Sequence, residues 1–81
     1  MVSDALRAAA DFKQMEADTM RQLSPVGVVM GWEIIADTRE RLAVARSSVL
    51  AYLLAARAEA SEEERRELDA ALNTVKRPQG L

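Results

Sequence analysis

Polar side chains recur at steps of three and four residues along the first 23 positions, with apolar side chains between them. This spacing places charge on one side of an α-helix and an apolar stripe on the other. Ser3 suits the capping position, and Asp4 in the first turn interacts favourably with the helix dipole. The pattern therefore predicts an amphipathic first helix over about 4–23.

The pair Ser24-Pro25 predicts the first boundary, because proline favours the first helical position after a serine cap and opposes continuation of the preceding helix. Beyond Gly31 the chain has no strong helix breaker until the capping residue Ser61. A long second helix over about 25–59 is therefore predicted. The alternative is a break near Asp37, since Asp37 and Glu40 match a capping box; the helix would then fold back into a monomeric four-helix bundle.

A third helix is predicted over about 62–76, because Ser61 and Glu64 form a better capping box. It has one narrow apolar stripe, and Pro78 opposes its continuation. We expect a single helical domain over 1–77 and a loose tail over 78–81. The chain shows none of the period-two alternation of a sheet, so the predicted fold class is all-α. The apolar stripe of the predicted third helix consists of Leu68, Ala71, Leu72 and Val75.

The second helix offers more apolar surface than the other two can cover. Its apolar residues surround most of the helix, whereas helices one and three present narrow stripes. Soluble monomers seldom leave such a surface open. We therefore predict a helical-bundle dimer, or a larger homo-oligomer, with helix two at the interface. The spacing of Gly27 and Gly31 indicates either a close helix crossing or an irregular first turn.

Two polar features have competing interpretations. Glu16 lies on the apolar side of helix one, so it is a buried acid, a contact for a partner, or a carboxylate that pairs with Lys13 at the edge of the stripe. Arg39, Arg46 and Arg57 recur at near-heptad spacing on helix two. One interpretation is that they receive an acidic partner or a phosphate backbone. The other is that they lie over apolar surface and pair with acids such as Asp11 or Asp18.

Composition narrows the chemistry. The chain has no histidine and no cysteine, so the usual nucleophile–base pairs and imidazole or thiolate metal sites cannot be built. We therefore predict no catalytic residues, no cofactor and no metal. A net charge of −2 argues against a nucleic-acid partner. The longest uncharged run is about half a membrane span. Absence of cysteine favours the cytoplasm, and nine arginines against two lysines suggest a bacterial or phage genome.

The sequence thus predicts a non-enzymatic protein–protein interaction module: an adaptor, a chaperone-like protein, or an inhibitor or regulator that binds itself and a second protein. Trp32 is the predicted anchor, since tryptophan beside small residues is typical of interface hot spots. One alternative is a small dimeric DNA-binding regulator, which the glutamates opening helix three oppose. Another is a structural subunit of a larger, phage-like assembly. The predicted partner-binding residues are Gly27, Gly31, Trp32, Ile35, Arg39, Leu42, Arg46, Leu50 and Leu54.

Overall fold

Three α-helices make up the fold: α1 spans Val2–Met30, α2 spans Trp32–Ala58, and α3 spans Glu62–Lys76. The computed structural model describes residues 1–30 and 32–78, with the side chains of 24–30 and 32–34 outside that description. Within the described part of the chain every regular element is helical, which confirms the predicted fold class.

The boundary between α1 and α2 is where the sequence prediction was wrong. α1 continues through Ser24 and Pro25 to Met30, so the helices predicted over 4–23 and 25–59 do not divide there. Proline removes one backbone donor and crowds the preceding turn, which bends a helix without having to end it. The residue between the two helices is Gly31, which lies outside the described residues.

α2 is continuous, so the alternative break near Asp37 is also wrong. The helix passes through this position from Trp32 to Ala58. The Asp37 carboxylate accepts a salt bridge from Arg41 one turn later, at 3.2 Å. A pair at this spacing supports a helix rather than capping a new one.

Contacts between the helices define their directions. Glu16 on α1 pairs with Arg46 on α2, equally far on either side of residue 31, so α1 and α2 form an antiparallel hairpin. Arg57 pairs with Asp69, so α3 also runs antiparallel to α2. Lys13 reaches the backbone carbonyl of Arg77 at the end of α3, which places α3 parallel to α1. The result is an up-down-up bundle with a long hairpin and a short third helix.

α3 covers only half of this hairpin. Its 15 residues span about 22 Å, whereas the 29 residues of α1 span about 43 Å. α3 ends beside Lys13 and Arg46, and of the described helices only α1 and α2 pack together beyond that point. We call the half with three helices the covered half, and the remainder the uncovered half.

The core follows the predicted stripes. α1 buries Ala5, Ala9, Phe12, Met20 and Leu23, as its apolar stripe predicts. From α3, Leu68, Leu72 and Val75 enter the same core. The buried residues of α2 are Ile35, Leu42, Leu53 and Ala56.

Local signals at the start of α3 are confirmed. The Ser61 hydroxyl accepts from the Glu64 backbone, and the Glu64 carboxylate accepts from the Ser61 backbone, completing the predicted capping box. Hydrogen bonding of the Glu64 carboxylate, first by the Ser61 backbone and then by the Ser61 side chain, lowers the pKa of Glu64. The backbone N–H groups of Ser61 and Glu64 thereby have hydrogen-bond partners within the same helix start, without help from another helix.

Candidate functional site

An uncharged surface runs along the outside of α2 in the covered half. Within the described stretch 43–58, not one of the exposed residues carries a charge. Three of them are large: Val44 is 64% exposed, Leu54 56% and Tyr52 41%. The remainder are alanines and serines. We call this surface the outer strip; it consists of Ala43, Val44, Ser47, Ser48, Ala51, Tyr52, Leu54, Ala55 and Ala58.

The strip is uncharged because the arginines of this stretch point elsewhere. Arg46 turns towards α1 and α3, where its guanidinium pairs with Glu16 and donates to the Val75 carbonyl at 2.9 Å. Arg57 turns towards α3 and binds the Asp69 carboxylate at 2.7 Å. This bond lowers the pKa of Asp69 and raises that of Arg57. The two arginines of this stretch thus pair with acids of α1 and α3, and the outward side of α2 over 43–58 is left uncharged.

Charged residues bound the strip at both ends. Exposed Arg39, Glu40 and Arg41 precede it, and together with Asp37 they balance to zero charge. The exposed acids Glu59, Glu62 and Glu63 follow it, at the turn into α3. The strip itself is about 24 Å long, from its 16 residues. One end is therefore neutral overall, and the other is acidic.

A second feature is a buried ionic cluster where the covered half ends. It consists of Glu16, Lys13 and Arg46, and the Glu16 residue has no exposed surface. Lys13 donates to the Glu16 carboxylate at 2.6 Å and to the Arg77 carbonyl at 2.8 Å. Arg46 pairs with the second carboxylate oxygen and lies over the Phe12 ring, 5.2 Å from its centroid. We call this group the Glu16 cluster.

The Glu16 cluster joins all three helices. Burial, followed by the nearby charge of Arg46, lowers the pKa of Lys13. The named donors of the cluster serve the carboxylate or the last carbonyls of α3, which helices otherwise leave without partners. Because these bonds fix where α1, α2 and α3 meet, we assign the cluster to positioning the helices. Elsewhere in the described residues, no group of three acids gathers in a way that could hold a metal ion.

The two open interpretations from sequence are now settled in part. Glu16 does pair with Lys13, but it is fully buried rather than at the edge of the stripe. Arg46 and Arg57 pair with acids as expected, although their partners are Glu16 and Asp69 and not Asp11 or Asp18. Pairing residues 30 positions apart depends on where the hairpin turns, which spacing along one helix does not reveal.

The predicted partner-binding residues divide into four groups. Ile35 and Leu42 are buried in the chain's own core. Leu50 is partly buried against it, while Leu54 and Arg39 are exposed. Arg46 belongs to the Glu16 cluster. The prediction for Gly31 lies outside the described residues, and the side chain of Trp32 and the surroundings of Gly27 are likewise outside the description.

Val44, Ser47, Ser48 and Ala51 were not among the predicted residues. The signal that would have found them is the absence of lysine, arginine and acid at every exposed position over four helical turns. Recognising it requires knowing that Arg46 and Arg57 face inward, which the sequence alone does not show. The contacts of Arg46 and Arg57 with the other helices therefore determine which side of α2 is left uncharged.

A small groove lies between α1 and α3. Its volume is about 220 Å³, and Leu6, Ala9, Ala71 and Val75 form most of its wall. Lys13 also lines it, but this side chain already binds Glu16 and Arg77. The groove thus lacks a free polar group among these residues to orient a ligand.

No described helix is both long enough and apolar enough to cross a bilayer. Comparison of the chain with protein-family profiles, with curated proteins and with solved structures finds no match in any of the three.

Proposed function

We propose that this protein is a non-enzymatic protein–protein interaction module that self-associates through the outer strip of α2. One observation carries the proposal. All nine exposed positions of the stretch 43–58 are uncharged, in a chain where 30% of residues are charged. The described fold offers this surface no covering element. An adaptor or regulator that works as a homodimer fits it best.

The energetic argument is modest and favours a reversible complex. Burying the exposed parts of Val44 and Leu54 contributes about 1 kcal/mol each, and a dimer buries four such side chains. Association itself costs several kcal/mol in lost rigid-body freedom. Small residues around them allow two helices to approach closely, which adds dispersion contacts.

Light scattering behind size exclusion, across a hundredfold range of concentration, tests the proposal. The unmodified chain should move from monomer to dimer as concentration rises. Ala51→Glu places a charge at the centre of the strip, and we expect it to weaken the dimer at least tenfold, about 1.4 kcal/mol. Buried like charges without partners account for this loss.

Ala70→Glu is the matched control, since Ala70 is also an exposed alanine within a helix, on α3. It should leave the dimer unchanged, and circular dichroism should show both variants equally helical. A chain that stays monomeric at every concentration contradicts self-association. An equal response of the two variants would mean that the strip is not the interface.

We also propose that the protein binds a second, different protein, as the sequence predicts. Trp32, at the first position of α2, stays the candidate anchor for it. Position 32 lies in the uncovered half, so a protein bound there and a second copy bound at the outer strip would occupy different parts of α2.

A further inference from the structure

We infer that the partner on the outer strip is a second copy of this chain in antiparallel orientation, related by a two-fold axis beside Ala51. This inference rests on the proposed function and adds the orientation and the alignment of the two helices. It follows from the order of side-chain sizes along the strip and from the charges at its two ends.

Side-chain sizes along the strip complement each other about Ala51. An antiparallel two-fold axis brings positions equally far before and after Ala51 opposite one another. Val44 then faces Ala58 of the second copy, seven residues to either side. On the flanks, the residue three after Ala51 and the residue four before it lie on the same side of the helix, so Leu54 faces Ser47 of the second copy. By the same spacing, Ser48 faces Ala55 on the other flank. Val44 and Leu54 therefore each meet a small residue.

A parallel pair would match sizes less well. It places Val44 against its own copy at one end and Ala58 against its own copy at the other. Two valines separate the helix axes further than two alanines do, so the close contact at one end would be lost at the other. The antiparallel pair has one large and one small residue at both ends, so the spacing of the helix axes stays even.

Charges at the ends of the strip favour the same orientation. A parallel pair would bring the acids Glu59, Glu62 and Glu63 of both copies to the same end, six carboxylates in all. Like charges in one place oppose association. The antiparallel pair instead places this acidic end beside the neutral end of the second copy, where Arg39 and Arg41 are exposed. The antiparallel pair therefore avoids gathering the acids of both copies at one end.

Single-cysteine variants test the orientation directly, because the chain has no cysteine of its own. Small residues allow helix axes to approach to about 8–10 Å, which leaves facing Cα atoms roughly 4–5 Å apart. A disulfide spans about 4.4–6.8 Å between Cα atoms, so facing positions can be cross-linked. The variants are Ala51→Cys, Val44→Cys and Ala58→Cys, with Asn73→Cys on α3 as an exposed control.

Each variant is oxidised in a glutathione buffer, and the disulfide dimer is quantified by non-reducing electrophoresis and mass spectrometry. Ala51→Cys alone should cross-link at least tenfold more than Asn73→Cys. A mixture of Val44→Cys and Ala58→Cys should give mainly the mixed disulfide. Ala58→Cys alone should not exceed the control, because its two copies lie about 21 Å apart along the pair.

The possible failures are distinguishable. Efficient cross-linking of Ala58→Cys alone would show a parallel pair, which overturns the inference and leaves self-association intact. Dimerisation in light scattering without cross-linking at Ala51 would overturn the alignment in the same way. A monomer at all concentrations would contradict the proposed function itself, and the inference with it.

Discussion

The covered and uncovered halves of the hairpin bury their side chains to different extents. In the covered half, Ala5, Leu53, Leu68 and Val75 have no exposed surface at all, and the other buried residues, Ala9, Phe12, Ala56 and Leu72, retain 2% to 6%. In the uncovered half, none of the described buried residues reaches zero: Met20 retains 8%, Leu23 7%, Ile35 4% and Leu42 5%. Two helices can shield a shared seam, but a third is needed to close it.

The difference shows where this chain's stability lies and where its surface is free. The covered half holds the closed core together with the pairs Glu16–Arg46 and Arg57–Asp69. Because those pairs draw Arg46 and Arg57 towards the other helices, the same half also presents the uncharged outer strip. The half in which three helices pack together therefore carries the candidate interaction surface.

The largest expected effect comes from the Glu16 cluster, at the border between the halves. Glu16→Met leaves Lys13 and Arg46 half-buried without their acid, and we expect a loss of about 3–5 kcal/mol in the free energy of unfolding. Urea denaturation followed by circular dichroism measures it. Glu16→Met combined with Arg46→Met should recover most of this loss, because the second substitution removes an unpaired charge. A double variant as unstable as the single one would contradict an electrostatic cause.

A matched leucine pair tests the comparison itself. Leu53→Ala, in the covered half, should lower the free energy of unfolding by about 3–5 kcal/mol, because three helices surround the cavity and cannot all relax into it. Leu42→Ala, on the same helix in the uncovered half, should lower it by about 2–3 kcal/mol. Urea denaturation of both variants measures the difference. Equal losses, or a larger one at Leu42, would show that the halves are equally well packed.

The smallest effect concerns acid stability of the α2–α3 contact. Asp69 has a folded-state pKa below its ordinary value because Arg57 binds it. Its stabilising contribution is therefore present above the unfolded-state pKa and is lost as pH falls through the folded-state value. In a series of thermal melts at decreasing pH, Asp69→Asn should lose less stability than the unmodified chain. Arg57→Gln should behave the same way; if it keeps the full acid dependence, another group is responsible.

Local signals proved sufficient for α3 and insufficient for the hairpin. Ser61 and Glu64 determine a helix start through their own hydrogen bonds, so the bounds 62–76 could be predicted to the residue. The end of α1 could not be predicted, because the local rule that a proline opens a new helix does not hold at Pro25, through which α1 continues to Met30. Sequence patterns show that two local preferences compete, but they do not show which of the two is stronger.

The candidate site, like the fold, could be predicted only in part from local sequence patterns. The sequence indicated that α2 has more apolar surface than its neighbours cover, and Leu54 was among the predicted binding residues. It did not show which side of α2 stays open, since that depends on where α1 and α3 lie. Ile35 and Leu42 were equally plausible from the pattern, and the fold buries both. Only the contact between Arg46 and Glu16 distinguishes the inner side from the outer one.

The end of α3 has a consequence for how the molecule assembles during folding. Its final carbonyls, at Val75 and Arg77, are bound by Arg46 and Lys13 from the other two helices. A helix of 15 residues is marginal in isolation, because few backbone bonds follow its unfavourable nucleation. The hairpin therefore serves as a template on which the last helix completes itself. Amide hydrogens of α3 should gain protection from exchange only after α1 and α2 have met.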